Sequence, residues 1–384
     1  MLDCQRHLFN LPEDAHYLNC AYMSPLARPV EEAGLQGLLR KRMPADIGVD
    51  DFFEASARLR ALFARLINAP DAARIAIIPS ASYGIATAAR NTPVQAGQNV
   101  VLVEEQFPGN VYEWRSLCRR QDLELRTVAA PALRERRGAA WNERLLAAID
   151  AGTAVVALGN VHWTDGTRFD LEAVGERARE VGAALIVDGT QSVGALPFDV
   201  QKTQPDALIC AGYKWLLGPY SIGLAWYGPR YDDGVPLEET WIAREGSEDF
   251  RALVDYQDAY QSGAIRYDVG ERSNFILVPM LVAALELLLD WGVSNIQAYC
   301  AALTRDLIGE ARELGFAVED DDWRGSHILG LRAPPGRELA RLQPELAKRN
   351  VHVSLRGSAM RVSPNVYNDG GDIAALREAL RRAR

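Results

Sequence analysis

Between about residue 58 and residue 228, short apolar runs alternate with helix-length segments, and this alternation constrains the fold more than any other feature of the chain. The runs stand at 74–79, 99–104, 123–128, 153–158, 184–188, 206–211 and 222–227, and helical patterns such as 83–90, 111–120 and 171–181 fall between them. Strands that are apolar at nearly every position are buried on both faces, so the pattern predicts an α/β fold with a mainly parallel sheet between helices. One connection departs from that rule. Residues 212–221 fall short of the dozen or so that a parallel crossover takes, so 222–227 is expected to run antiparallel in a mixed sheet of about seven strands.

After residue 232 the pattern changes. Helices are expected over 278–291 and over 296–314, the second stopped by Gly315. Strands at 316–319, 327–331, 351–355 and 360–363 and helices at 336–349 and 372–382 then read as a smaller α+β domain. With 384 residues, 48% hydrophobic and 24% charged, the chain can build two cores. Neither an internal repeat nor a low-complexity tract interrupts it.

Composition removes several classes of function. A net charge of −9 with no Lys/Arg block argues against a nucleic-acid partner, and the basic run 134–137 reads as a solvated loop. The five cysteines, at 4, 20, 118, 210 and 300, form no CxxC pair, which disfavours a disulfide framework or a metal site and favours a reducing compartment. Residues 1–12 carry charges and no apolar centre, unlike a signal peptide. The apolar stretch 277–289 is interrupted by Pro279 and Glu286 and is too short for a bilayer. The expectation is a soluble, cytoplasmic protein without a membrane partner.

Two segments carry the chemistry. In Ala184-Leu-Ile-Val-Asp188-Gly-Thr-Gln191 an apolar strand ends on a carboxylate, at the sheet edge where open α/β folds bind ligands. In Ala207-Leu-Ile-Cys-Ala-Gly-Tyr213-Lys214-Trp215 a lysine follows the next strand. Alone, Asp188 is as readily a turn cap, and Lys214 as readily a side chain snorkelling to water. Together they sit one strand step apart and can face the same edge. Pyridoxal phosphate (PLP) needs that pair: a desolvated amine for its aldehyde, and a carboxylate beside its pyridine nitrogen. A phosphate site is then expected at a helix N-terminus. Ile75-Ala-Ile-Ile-Pro79-Ser80-Ala81-Ser82-Tyr83 supplies strand, polar turn and helix start, although N-capping by Ser80 or Ser82 explains the same residues.

On these motifs, and over nearly the whole chain from Tyr17-Leu-Asn19-Cys-Ala21 to Arg361-Val-Ser-Pro-Asn-Val-Tyr367-Asn368, the sequence resembles the class V aminotransferases. This branch of the fold type I PLP enzymes includes cysteine desulfurases, kynureninases and isopenicillin N epimerase. The resemblance implies a large PLP-binding domain at 26–265, a small domain at 266–384, and a segment 1–25 serving the active site and the small domain. It makes Lys214 the Schiff-base lysine and general acid/base, pairs Asp188 with the pyridine nitrogen, and sets Gln191 at the 3′-oxygen. Ala81, Ser82 and Tyr213 would hold the phosphate, and Phe107 would stack on the ring. Arg361 would grip the substrate carboxylate, with Asn19, His162 and Trp163 nearby. Ser273 and Asn274, in Gly270-Glu-Arg272-Ser273-Asn274, resemble a loop inserted into the partner's site, which implies a homodimer. Tyr22 and Arg356 are further positions from which a substrate side chain would be read.

The sequence departs from the desulfurases in two respects. The stretch Leu355-Arg356-Gly-Ser358-Ala-Met-Arg361 is short and has no Cys, which speaks against a cysteine persulfide mechanism. Trp163 stands where desulfurases have Asn, and Ala211 where many relatives have Ser. The reaction is expected to be transamination or C-β/C-S lysis of an amino-acid-like substrate. Epimerisation and a non-catalytic PLP-fold binding role are the alternatives. A nucleotide-binding oxidoreductase is disfavoured because no GxGxxG turn follows the first strand.

Overall fold

The computed structural model describes residues 2–132, 136–334 and 338–382. Its centre is a seven-stranded sheet in the spatial order Ile75–Ile78, Gly223–Tyr227, Ala207–Ala211, Ala184–Asp188, Thr153–Gly159, Asn99–Val103, Glu124–Val128. Gly223–Tyr227 is antiparallel to both its neighbours, and the other strands all run one way. The expectation drawn from the short 212–221 connection therefore holds.

Both faces of the sheet are buried, and alternate residues go to different cores. Ile75, Ile77, Val101, Val156, Val187 and Leu208 pack with Phe63, Trp141 and Leu281 on one side. Ala76, Ile78, Leu102, Val155, Ile186 and Ile209 pack with Ile85 and Trp114 on the other. This explains why the strands read as continuous apolar runs. The edge strand Glu124–Val128 is the exception, with Glu124 and Arg126 in an ion pair with each other. Charges there discourage further strand pairing.

A three-stranded antiparallel sheet, Ser354–Arg356, Ala359–Val362 and Leu329–Arg332, forms a third core with helices Val293–Glu313 and Gly370–Arg382. His16–Tyr17 pairs in parallel with Val351–His352, so the N-terminal segment joins this sheet region. Helix Leu277–Trp291 is apolar on nearly every side because it packs against helices Arg28–Arg40 and Glu54–Leu66 as part of the large core.

Several sequence expectations need correction. Residues 316–319 are not a strand. Ala317 makes one bridge to Arg332, and the chain then turns into the 3-10 helix Asp321–Trp323. The run 351–355 divides at Val353 because its halves pair with different partners. The helix expected over 336–349 is a 3-10 turn, Leu339–Leu342, followed by Gln343–Lys348, with Pro344 in the first turn, while residues 335–337 lie outside the described residues. Of the basic run 134–137, Arg134 and Glu135 lie outside the described residues. Arg137 is buried rather than solvated, and it donates to Asp165 and Thr167. Among the described residues no single helix is long and apolar enough to cross a membrane.

Candidate active site

The carboxyl ends of the same-direction strands meet at one edge of the large sheet, and two of them deliver the principal groups. Asp188 ends Ala184–Asp188. The next residue, Gly189, permits close packing on the neighbouring strand, since a Cβ there would lie 2.7 Å from Cys210 Sγ and 2.8 Å from Leu208 Cδ1. Beyond Ala207–Ala211, Gly212 lies against the returning strand, where a Cβ would meet the Ile222 carbonyl oxygen at 2.6 Å. The turn then closes on itself, as the Leu217 amide donates to the Lys214 carbonyl and the Gly218 amide to that of Gly212. Leu217 holds φ of 56°, a left-handed conformation that costs a bulky residue about 1–3 kcal/mol. Such strain is tolerated where the turn must aim a side chain.

Lys214 is 6% exposed, and its Nζ has no hydrogen-bond partner among the described residues. Nζ lies 5.1 Å from the centre of the Phe107 ring and 5.4 Å from that of Tyr213. Burial pulls its pKa from 10.5 down to about 8; Asp188 acts in the opposite direction, and Arg361 and Arg356 add to the lowering. Asp188 retains some exposed surface, yet the protein packed around it raises its carboxyl above the usual range. The Thr190 hydroxyl and amide and the Lys214 charge oppose that rise only in part.

A cavity of about 340 Å³ opens at Lys214, lined also by Tyr22, Phe107, Trp163, Arg356 and Arg361 among others. Phe107 is 41% exposed, high for a phenyl ring, and it meets Trp163 edge-on at 5.4 Å. Arg361 is 1% exposed, donates from Nη1 to the Trp163 carbonyl oxygen at 2.8 Å, and has no partner for Nε. Burial first, then Arg356, lowers its pKa to about 9.

Helix Ala81–Asn91 starts beside this edge. Ser80 is the cap, accepting from the Tyr83 amide at 3.2 Å. The amides of Ala81 and Ser82 keep no partner among the described residues, which is how a helix start receives an anion. Ser82 and Phe107 are neighbours, since a Cβ on Gly109 would lie 3.3 Å from Ser82 Oγ and 3.2 Å from the Phe107 ring.

Other expected residues are placed differently. Gln191 is buried and spanned at both ends, donating to the Ala21 carbonyl at 3.0 Å and accepting from Trp215 Nε1 at 2.9 Å. Asn19 accepts from Ser354 Oγ at 2.8 Å and so ties the N-terminal segment to the small sheet. The structure does not bring His162 to the cavity. Its ring lies 5.0 Å from Trp141, with Nε2 toward the Glu104 carbonyl and Nδ1 toward Thr164 Oγ1. Nor are Ser273 and Asn274 near Lys214 within this chain: Ser273 Oγ donates to the Phe52 carbonyl and Asn274 Oδ1 caps helix Leu277–Trp291. Both line a separate cavity with Trp241 and Lys41.

Sequence reasoning missed two supporting residues. Asp165 takes Arg137 at 3.0 Å and Arg332 at 2.7 Å, beside His162. Burial alone would raise its carboxyl, but His162, Arg137 and Arg332 hold it well below the usual range. Asp165 thereby anchors the turn that carries Trp163. His327 lies edge-on to Trp215 at 4.6 Å, and its Nε2 is 2.8 Å from the Gln191 carbonyl. Burial holds its pKa down at about 4. The Asp165-Gly166 turn was a usable signal; His327 offered none.

An unpartnered buried amine, a carboxylate on the adjacent strand, an exposed aromatic face and free helix amides form a donor set that fits pyridoxal phosphate. Comparison with known proteins agrees. The class-V aminotransferase family pattern matches residues 49–358. An uncharacterized aminotransferase of Bacillus subtilis (strain 168) is 27% identical over 365 residues, covering 94% of this chain and 93% of that protein. Isopenicillin N epimerase of Streptomyces clavuligerus is 26% identical over 337 residues, 84% of this chain and 82% of the relative. In structure, a cysteine desulfurase of Escherichia coli superposes with a TM-score of 0.80 at 21% identity, covering 98% and 97% of the two chains. The chain belongs to the class-V aminotransferase family, whose fold is that of the fold type I enzymes and whose cofactor is pyridoxal phosphate.

Proposed function

We propose that this protein is a PLP-dependent transaminase or C-β/C-S lyase that holds its cofactor on Lys214. The observation that carries the reading is the buried Lys214 amine, without a hydrogen-bond partner among the described residues, under the electrostatic influence of Asp188 and lining one cavity with Arg361. When bound, the cofactor supplies an electron sink that stabilises negative charge at the substrate α-carbon.

The chain's own residues have distinct tasks. Lys214, kept partly neutral by burial, would hold the cofactor through its carbonyl carbon and would move a proton at the substrate α-carbon. Asp188 would keep the pyridine nitrogen protonated, with Thr190 and Gly189 fixing its direction. Phe107 would cover one face of the ring, and Tyr213, Ser82 and the amides of Ala81 and Ser82 would bind phosphate, while Gln191, engaged by Ala21 and Trp215, would meet the 3′-oxygen only by giving up one of those bonds. Arg361 presents its planar fork to the α-carboxylate, with the Trp163 carbonyl setting its angle. Trp163 forms the opposite wall; Asn19 and His162 act by supporting that wall and the N-terminal segment. In a homodimer, Ser273 and Asn274 would complete the partner's phosphate site. The chain would then divide into the segment 1–25, a PLP-binding domain 26–265 and a small domain 266–384, working in the cytoplasm.

A cysteine persulfide route is disfavoured by the hairpin joining Ser354–Arg356 to Ala359–Val362. Arg356 pairs with Ala359, leaving Gly357 and Ser358 to form the turn, and among the described residues no cysteine lines the cavity.

The test is the visible spectrum of the purified protein, followed by borohydride reduction and peptide mapping. A yellow protein whose reduced pyridoxyl label maps to Lys214 is the expected result. A colourless protein that gains no visible band on adding PLP would overturn the reading.

A further inference from the structure

We propose that Arg356 is a second anion-binding group of the Lys214 cavity, and that the substrate is an amino acid with an acidic side chain. The proposal rests on the reading of Lys214 and Arg361 given above and adds the class of substrate.

Strand geometry puts the two arginines side by side. Arg361 lies directly opposite Ser354 in the antiparallel hairpin, and Arg356 is two residues beyond Ser354 on the same strand. Side chains two apart share a face, so Arg356 and Arg361 are diagonal neighbours on the face turned to the cavity. Their guanidinium carbons lie 5.7 Å and 5.9 Å from the centre of the Trp163 ring. Trp163 is thus a common platform for both.

Among the described residues neither arginine pairs with a carboxylate. Arg361 donates to the Trp163 carbonyl, and Arg356 donates to the Leu355 carbonyl next to it, at 2.8 Å. None of the described residues lining the cavity is an Asp or a Glu. Arg361 is buried and Arg356 half-buried, whereas the buried arginines elsewhere are paired: Arg60 and Arg272 meet Asp268, and Arg137 and Arg332 meet Asp165. The cavity therefore concentrates Arg356, Arg361 and Lys214 with Asp188 beneath, and Arg356 adds to the lowering of both Lys214 and Arg361. A single α-carboxylate on Arg361 leaves Arg356 without a counter-charge. A second carboxylate or sulfinate on the substrate side chain supplies one in the planar form that guanidinium recognises.

Dicarboxylates without an amine test this without any reaction. Succinate and glutarate are titrated against butyrate into the yellow holoenzyme by calorimetry. The expected result is that the dicarboxylates bind tighter by about tenfold or more, the value of one charge-assisted contact. Arg356→Gln should remove that margin while butyrate affinity stays, and Arg356→Lys should restore part of it. Equal affinity for dicarboxylates and butyrate would overturn the proposal. So would an Arg356→Gln variant that loses both equally, because both arginines would then grip one carboxylate. With aspartate, glutamate and cysteine sulfinate against alanine, the size of the visible spectral response separates carboxylate from sulfinate side chains. Failure of the cofactor reading is distinguishable: it appears as a missing visible band, while the dicarboxylate titration still reports on the arginine pair.

Discussion

Two buried sets of charges in this protein are built on opposite principles. Near the start of the large sheet, Asp268 has no exposed surface and accepts from Arg60 at 2.6 Å and 3.0 Å, from Arg272 at 2.7 Å, and from the Ile77 amide at 2.8 Å. It links helix Glu54–Leu66, strand Ile75–Ile78 and the segment leading into helix Leu277–Trp291. At the candidate active site, Lys214 and Arg361 are about as buried and have no such carboxylate between them among the described residues. Paired buried charge fixes architecture, whereas unpaired buried charge is tolerated where a ligand completes it. Burial by itself does not separate the two kinds; the count of partners does.

The largest effect should come from breaking the paired set. Asp268→Asn leaves two guanidinium groups buried without a carboxylate, and a loss of about 3–5 kcal/mol is expected in chemical denaturation. Arg361→Met in the cofactor-free protein should be neutral or stabilising, because it removes a buried charge with no carboxylate partner among the described residues, and on the proposed reading it should also abolish carboxylate binding. If Arg361→Met destabilised as much as Asp268→Asn, the distinction between the two sets would collapse.

Lys214 sharpens the comparison through pH. Its pKa falls from 10.5 in the unfolded chain to about 8 in the folded one, so the unfolded state holds the proton more tightly. The resulting penalty is fully present below about pH 8, fades as pH rises toward 10.5, and is absent above it. For a group this buried the penalty amounts to about 3 kcal/mol. Lys214→Met should accordingly stabilise the cofactor-free protein at pH 7, with the advantage shrinking across pH 8 to 10.5 in thermal melts. An advantage independent of pH would mean that better apolar packing, not relief of buried charge, was responsible.

What the sequence disclosed follows from the same contrast. Continuous apolar runs announced the doubly covered sheet, and the short 212–221 connection announced its one reversed strand. Asp188 and Lys214 were legible because each ends such a run. Residues whose meaning depends on distant partners were not. His162 looked like a substrate contact and is instead held by Glu104 and Thr164, outside the cavity lining. Arg137 looked solvated and is a buried partner of Asp165. The strand expected at 316–319 failed because β-forming residues there find only one bridge to pair with.

The smallest expected effect separates two serines that the sequence left interchangeable. Ser80 and Ser82 were both candidates for capping helix Ala81–Asn91, and both lie near an expected phosphate. Ser80 Oγ accepts from the Tyr83 amide, whereas Ser82 Oγ sits beside the Phe107 ring with no hydrogen-bond partner among the described residues. Ser80→Ala should therefore cost about 1 kcal/mol of stability, the usual loss on removing such a cap, and leave cofactor affinity nearly intact. Ser82→Ala should do the reverse, changing stability by less than about 0.5 kcal/mol while weakening PLP retention in dialysis followed at the visible band. Each serine would then repeat in miniature the contrast between Asp268 and Arg361: one polar group spent within the fold, the other kept free for a ligand.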